Sequence, residues 1–88
     1  MRLEVISPEK RLFSGDVDMV MVPSELGDFL ILPMHAPIIS TLRTGVVTYV
    51  INEKETKLKI ESGFVEVSND IVTVCVEATK PDNNENGK

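Results

Sequence analysis

Residues 56–76 read TKLKIESGFVEVSNDIVTVCV, and this stretch decides the fold class. Leu58 and Ile60 alternate with charged neighbours, and alternation with a period of two is typical of a β-strand with one buried face. Gly63 interrupts the alternation and predicts a bulge or a corner. The Asn69-Asp70 pair separates two Val-rich runs and favours a hairpin turn. The stretch therefore predicts antiparallel strands that share one buried face.

The rest of the chain repeats short β-forming runs that are cut by turn signals about every ten residues. The predicted strands are residues 3–7, 17–22, 29–32, 46–51, 56–62, 64–68 and 71–76. The predicted turns are residues 14–16, 24–28 and 52–55. No window shows a helical stripe with caps. This organisation predicts an all-β fold, a two-layer antiparallel β-sandwich.

The inner faces of the two layers are predicted to be aliphatic, because the chain has no Trp, one Tyr and three Phe. The predicted core residues are Val5, Val20, Val22, Ile31, Val47, Leu58, Ile60, Val65, Val67, Val72, Val74 and Val76. With 88 residues the chain is expected to form one domain over residues 1–79. Residues 80–88 have no apolar side chain apart from Pro81 and are predicted to be a disordered polar tail.

Net charge and composition exclude several classes of partner. A net charge of −5 and an isoelectric point near 4.7 argue against nucleic acid and against an anionic membrane surface. No apolar run is long enough for a signal peptide or a membrane span. The sequence therefore predicts contact with a membrane only through another protein.

Few residues are suited to chemistry, which favours a binding module over an enzyme. His35 is the only histidine and Cys75 the only cysteine, so no metal-ligand cluster or nucleophile with a basic neighbour is predicted. A small β-barrel enzyme or a cupin-like metal domain would need such a cluster. A lipoyl- or biotin-carrier domain would need a lysine at a hairpin tip, and Lys54 has that position between two glutamates. No cofactor is expected.

Residues 27–37, GDFLILPMHAP, carry a short apolar strand into a corner between two prolines. Pro33 and Pro37 each restrict φ and lack a backbone donor, so they favour a stiff connection. His35 lies between them. Such a corner presents a few side chains in a set orientation, which suits docking to a partner.

Four stretches together carry a family resemblance: VISPE at 5–9, FSGDV at 13–17, GDFLILPMHAPI at 27–38 and SGFVEV at 62–67. Over about residues 1–79 the chain resembles the N-terminal β-sandwich of the epsilon subunits of bacterial F-type ATP synthases. It departs from the family pattern at Asp28, where glutamate is usual, and at Leu30 and Met34, where glycine is usual.

The resemblance implies a non-catalytic rotor subunit of the central stalk, at the cytoplasmic face of the bacterial inner membrane. Its implied partners are the gamma subunit and the proton-driven c-subunit ring, with the catalytic alpha/beta head reached through gamma. Asp28 and Phe29 match positions that face the c ring, whereas Ser7, His35 and Ser40 match positions that lie toward gamma. Longer members of the family continue past the sandwich with two helices. Residues 80–88 are few and polar, so we expect them to form no inhibitory helical domain and to bind no ATP.

Overall fold

The computed structural model describes residues 1–79, which form eight β-strands and no helix. The strands are β1 (Arg2–Ile6), β2 (Arg11–Asp16), β3 (Met19–Ser24), β4 (Gly27–Ile31), β5 (Ile38–Leu42), β6 (Gly45–Ile51), β7 (Lys54–Ser68) and β8 (Ile71–Thr79). The predicted all-β sandwich is confirmed. The predicted polar tail, residues 80–88, lies outside the described residues.

Strand β7 belongs to both layers of the sandwich. Its residues 54–60 pair with β6, and its residues 63–68 pair with β5 and β8. The first layer is thus β4, β3, β6 and the start of β7, and the second layer is β5, the end of β7, β8, β1 and β2. The register shifts on either side of Ser62, where β7 changes layers. The bulge or corner predicted at Gly63 is therefore confirmed.

Strand pairing is antiparallel throughout the described sheet except between β1 and β8, which run parallel. These two strands come from opposite ends of the described chain. No hairpin turn therefore forces them to be antiparallel.

Two tight hairpin turns have the predicted residues. Asn52 and Glu53 both have positive φ, and so do Asn69 and Asp70, as a type I′ turn requires at its two central positions. Lys54 is not at the tip of its hairpin, because it already pairs with Ile51 as the first residue of β7. This placement removes the feature that suggested a carrier domain.

The core is aliphatic, and it contains every predicted residue except Leu58, which is half-buried and packs against it. The core also includes three residues outside the prediction, namely Leu3, Val17 and Leu42. Strand β7 shows why the prediction succeeded: Ile60, Val65 and Val67 are buried, and charged neighbours are exposed.

Two parts of the strand prediction were wrong. The turn predicted at residues 14–16 is the end of β2, because Ser14 pairs with Glu4 and Gly15 pairs with Leu3 across the ladder. Cross-strand pairing overrides local turn propensity here. Strands β2 and β5 were not predicted at all: β2 forms against β1, and β5 forms against the second half of β7.

Glu4 is held by a small polar network on the outer face of β1. Its Oε2 accepts hydrogen bonds from Ser14 Oγ and Arg2 Nε, each at 2.8 Å, and Arg11 Nε lies 3.4 Å from Oε1. The Ser14 hydrogen bond, opposed by desolvation and assisted by Arg2 and Arg11, lowers the pKa of Glu4 below its usual 4.5. The network therefore favours the charged carboxylate.

The first prediction concerns the face assigned to β7. Ile60 is fully buried, so Ile60→Ala should lower the free energy of unfolding by about 2–5 kcal/mol through cavity formation. Lys59 is exposed, so Lys59→Ala should cost less than about 0.5 kcal/mol. Urea denaturation of both variants measures the difference, and equally mild effects would contradict the register.

The second prediction concerns pH. Because the folded pKa of Glu4 lies below its unfolded value, its stabilising effect is present above about pH 4.5 and is lost as the pH falls through the folded pKa. Glu4→Gln should therefore make the loss of stability in acid less steep. Denaturation midpoints across the acid range measure this, with Glu53→Gln at the β6–β7 turn as the control. Parallel curves for Glu4→Gln and the wild type would contradict it.

Candidate partner-binding surfaces

The proline corner contains a tight turn with an unusual residue. The His35 N–H donates to the Leu32 carbonyl at 3.2 Å, with Pro33 and Met34 between them. Met34 has a φ of 66°, so this turn has the proline and the positive φ that are typical of type II. Glycine is favoured at this position because side chains disfavour positive φ. The Met34 side chain is 81% exposed, so burial does not compensate for this backbone conformation.

Asp70 holds this corner against the rest of the second layer. Its Oδ1 accepts a hydrogen bond from the Met34 N–H at 2.8 Å, and its backbone carbonyl accepts one from the Arg2 N–H at 3.1 Å. The amino nitrogen of Met1 lies 3.6 Å from Oδ2. One residue of the β7–β8 turn therefore connects the proline corner with the start of β1.

Asp28 and Phe29, the two residues matched to the c-ring surface, point to opposite faces of β4. Asp28 is exposed and forms an ion pair with Arg43. Phe29 is half-buried against the core, and its ring centroid lies 6.5 Å from that of His35. Leu30 points to the same face as Asp28 and is 40% exposed. Only Asp28 of the matched pair is thus presented to solvent on that face.

The residues matched to the gamma surface lie in three different places. His35 is in the proline corner, where its Nδ1 donates to the Ala36 carbonyl at 2.7 Å. Ser7 follows β1 and exchanges hydrogen bonds with the backbone of Lys10. Ser40 lies in β5, and its hydroxyl is 2.6 Å from that of Ser24.

The outer face of the second layer carries apolar residues that the sequence analysis did not select. Ile6, Cys75 and Phe64 are directly opposed on β1, β8 and β7, and Ile39 lies diagonally from Phe64 on β5. We call these four residues the apolar row. Phe64 is 41% exposed and Ile39 is 73% exposed. Four strands separated by about 4.8 Å give the row a length of roughly 14 Å.

One end of the apolar row lies beside Ser7, one of the residues matched to gamma. A shallow cavity of about 260 Å³ beside the row is lined by Ser7 together with Ile6 and Phe64. At the other end, Thr41 pairs with Phe64 on this face. Ser40 precedes Thr41 in β5 and pairs with the buried Val65, so its side chain points to the opposite face. Phe64 alternates with the buried Val65 and Val67 in β7, and this pattern in the sequence was sufficient to predict Phe64 on the outer face.

The chemistry available on these surfaces is limited. Burial, and then the charge of Glu66, raise the pKa of the Cys75 thiol, so it stays protonated at neutral pH. Within residues 1–79 no group of three His, Cys, Asp or Glu side chains is arranged to hold a metal ion. None of the described elements is a helix long and apolar enough to cross a membrane.

A family model described as "ATP synthase, Delta/Epsilon chain, beta-sandwich domain" matches residues 1–82. The chain belongs to this family. The ATP synthase epsilon chain of Maricaulis maris is 46% identical over 77 residues, which cover 88% of this chain and 58% of that protein. The epsilon chain of Desulfitobacterium hafniense is 39% identical over 79 residues, which cover 90% and 60%. The chain thus spans about three fifths of the length of these curated relatives.

Two solved structures have the same fold. One is the cryo-EM structure of Euglena gracilis mitochondrial ATP synthase, OSCP/F1/c-ring in rotational state 1, with a TM-score of 0.83 and 17% identity. It matches 90% of this chain and 51% of the solved chain. The other is the central stalk/c-ring of Tetrahymena thermophila mitochondrial ATP synthase, with a TM-score of 0.76, 13% identity and coverage of 86% and 62%. At these identities the likeness shows the fold alone.

The third prediction tests the backbone of the corner. Met34→Gly should raise the free energy of unfolding by about 0.5–1 kcal/mol, because glycine adopts positive φ without the steric cost of a side chain. Leu32→Gly, at an exposed position of the same corner without positive φ, is the control and should give no such gain. Thermal unfolding compares them. A loss of stability in Met34→Gly would show that its side chain stabilises the corner.

Proposed function

We propose that this chain is a non-catalytic central-stalk subunit of an F-type ATP synthase, which links the gamma subunit to the c ring. In this role it couples proton flow through the ring to ATP synthesis, and it reaches the catalytic alpha/beta head only through gamma. The complex would place it at the cytoplasmic face of a bacterial inner membrane. The observation that carries the proposal is the family match over residues 1–82, with relatives named ATP synthase epsilon chain.

The apolar row is our proposed contact with gamma. It exposes large apolar side chains beside Ser7, on a face that nothing in the described chain covers. Burial of such side chains in an interface contributes more to affinity than contacts at a polar rim. Phe64, near the middle of the row, is the residue expected to contribute most.

The exposed end of the β3–β4 hairpin is our proposed contact with the c ring. Asp28 lies there with its charge paired to Arg43, which comes from the junction of β5 and β6. Charged groups at an interface chiefly determine orientation and association rate. His35 and Phe29 lie behind this surface, where their ring contact supports the proline corner.

The fourth prediction tests the gamma contact. Phe64→Ser should weaken binding of isolated gamma about tenfold or more, because it removes a buried anchor from the interface. Val46→Ser is a matched control, since Val46 is 38% exposed, similar to Phe64, and lies in β6 of the first layer. Isothermal titration calorimetry gives both affinities. Equal losses in the two variants, or none in Phe64→Ser, would count against this surface.

The fifth prediction tests the c-ring contact. Asp28→Lys places a second positive charge beside Arg43, so it should reduce ATP-driven proton pumping per ATP hydrolysed without unfolding the domain. The loss should depend on salt concentration. Reconstituted complexes in proteoliposomes provide the measurement, and Glu53→Lys at the β6–β7 turn is the control. Normal pumping by the Asp28→Lys complex would argue against the assignment.

A further inference from the structure

The β3–β4 hairpin is tied to β5 and to the residue after it by three side-chain links. The hydroxyls of Ser40 and Ser24 are 2.6 Å apart, Thr41 Oγ1 donates to Glu25 Oε1 at 2.7 Å, and Arg43 forms an ion pair with Asp28. Each link joins a residue of 40–43 to a residue of 24–28. We call this set of links the tip brace.

Backbone hydrogen bonds strengthen the tip brace. The Glu25 N–H donates to the Thr41 carbonyl at 3.0 Å, and the Arg43 N–H donates to the Pro23 carbonyl at 2.9 Å. The hydroxyl of Ser24, a residue only 1% exposed, also accepts the Leu26 N–H at 3.1 Å. The backbone on both sides of Leu26 is therefore held before any partner binds.

The brace presents Leu26, whose side chain is 96% exposed. A single exposed leucine is ordinary on protein surfaces. Here the backbone that carries it is already ordered, so binding would cost little further conformational entropy. Around it, Arg43 neutralises Asp28, whereas Glu25 accepts the Thr41 hydroxyl and has no cationic partner within residues 1–79, so it keeps a net negative charge.

We propose that Leu26 is the anchor of the hairpin contact, and that it enters a shallow apolar recess of the c ring with a basic side chain at its rim. A few residues that enter desolvated pockets carry most of the energy of an interface, and the negative rim at Glu25 specifies the sign of the facing charge. Ser40 is a positioning residue that acts on Leu26 through Ser24. This inference rests on the proposed function.

A double-mutant cycle tests both roles. The purified complex of this chain with gamma is immobilised, and its affinity for detergent-solubilised c ring is measured for the wild type, Leu26→Ser, Ser40→Ala and the double variant. We expect Leu26→Ser to weaken binding about tenfold or more and Ser40→Ala several-fold. In the Leu26→Ser background, Ser40→Ala should add no further loss, because the two residues act on one contact.

Three controls sharpen the result. Leu30→Ser, on the exposed face of β4, should weaken binding much less than Leu26→Ser. Ser40→Thr keeps the hydroxyl and should bind nearly as well as the wild type. Glu25→Gln keeps an acceptor for Thr41 but removes the charge, so it should slow association at low salt only. Thermal unfolding confirms that each variant is folded.

The outcomes separate this inference from the function on which it rests. Wild-type affinity in Leu26→Ser, or equal losses in Leu26→Ser and Leu30→Ser, would overturn the anchor while leaving the stalk role intact. Full additivity of Leu26→Ser and Ser40→Ala would overturn the positioning role of Ser40. No binding of c ring by the wild-type complex would overturn the proposed c-ring contact, and this inference with it.

Discussion

The close approach of β7 to β8 at Gly63 is the constraint on which the rest of the structure depends. A Cβ at this position would collide with the carbonyl oxygen of Cys75 and lie 3.2 Å from Cα of Val76. Because glycine has none, β7 can shift its register beside Ser62 and continue from the first layer into the second. One strand then supplies Ile60 to the core before the shift and Val65 after it.

The same shift determines which residues reach the outside of the second layer. Beyond Gly63, the alternation buries Val65 and leaves Phe64 on the outer face, opposite Cys75 on one side and Thr41 on the other. The apolar row therefore depends on the register in which β7 pairs with β8 after Ser62. An alanine at position 63 would disturb the close strand contact and the position of this row together.

Strand β5 connects the two proposed surfaces. Thr41 pairs with Phe64 on the outer face of the second layer, and its hydroxyl also donates to Glu25 at the end of the β3–β4 hairpin. Ser40, one residue earlier, turns its hydroxyl to Ser24. One strand and a few hydrogen bonds therefore join the two proposed surfaces.

The sequence by itself determined the elements whose signals are local. Alternation in residues 56–76 predicted the buried face, Asn69-Asp70 predicted the hairpin turn, and Gly63 predicted the bulge. The motif order was also sufficient to predict the family that the comparisons show. These features depend on the period of the side chains and on backbone preferences over a few residues, so the sequence alone is sufficient to predict them.

Only the tertiary structure decided which residues meet across the sheet. Ser14 joins a strand because Glu4 lies opposite, Ser40 turns to Ser24, and Leu26 is left exposed at the end of the braced hairpin. The partners in these contacts are ten or more residues apart in sequence. The exposure of Leu26 depends on the same long-range contacts, because they hold the hairpin that carries it. Their identity follows from strand order and register, which local preferences do not specify.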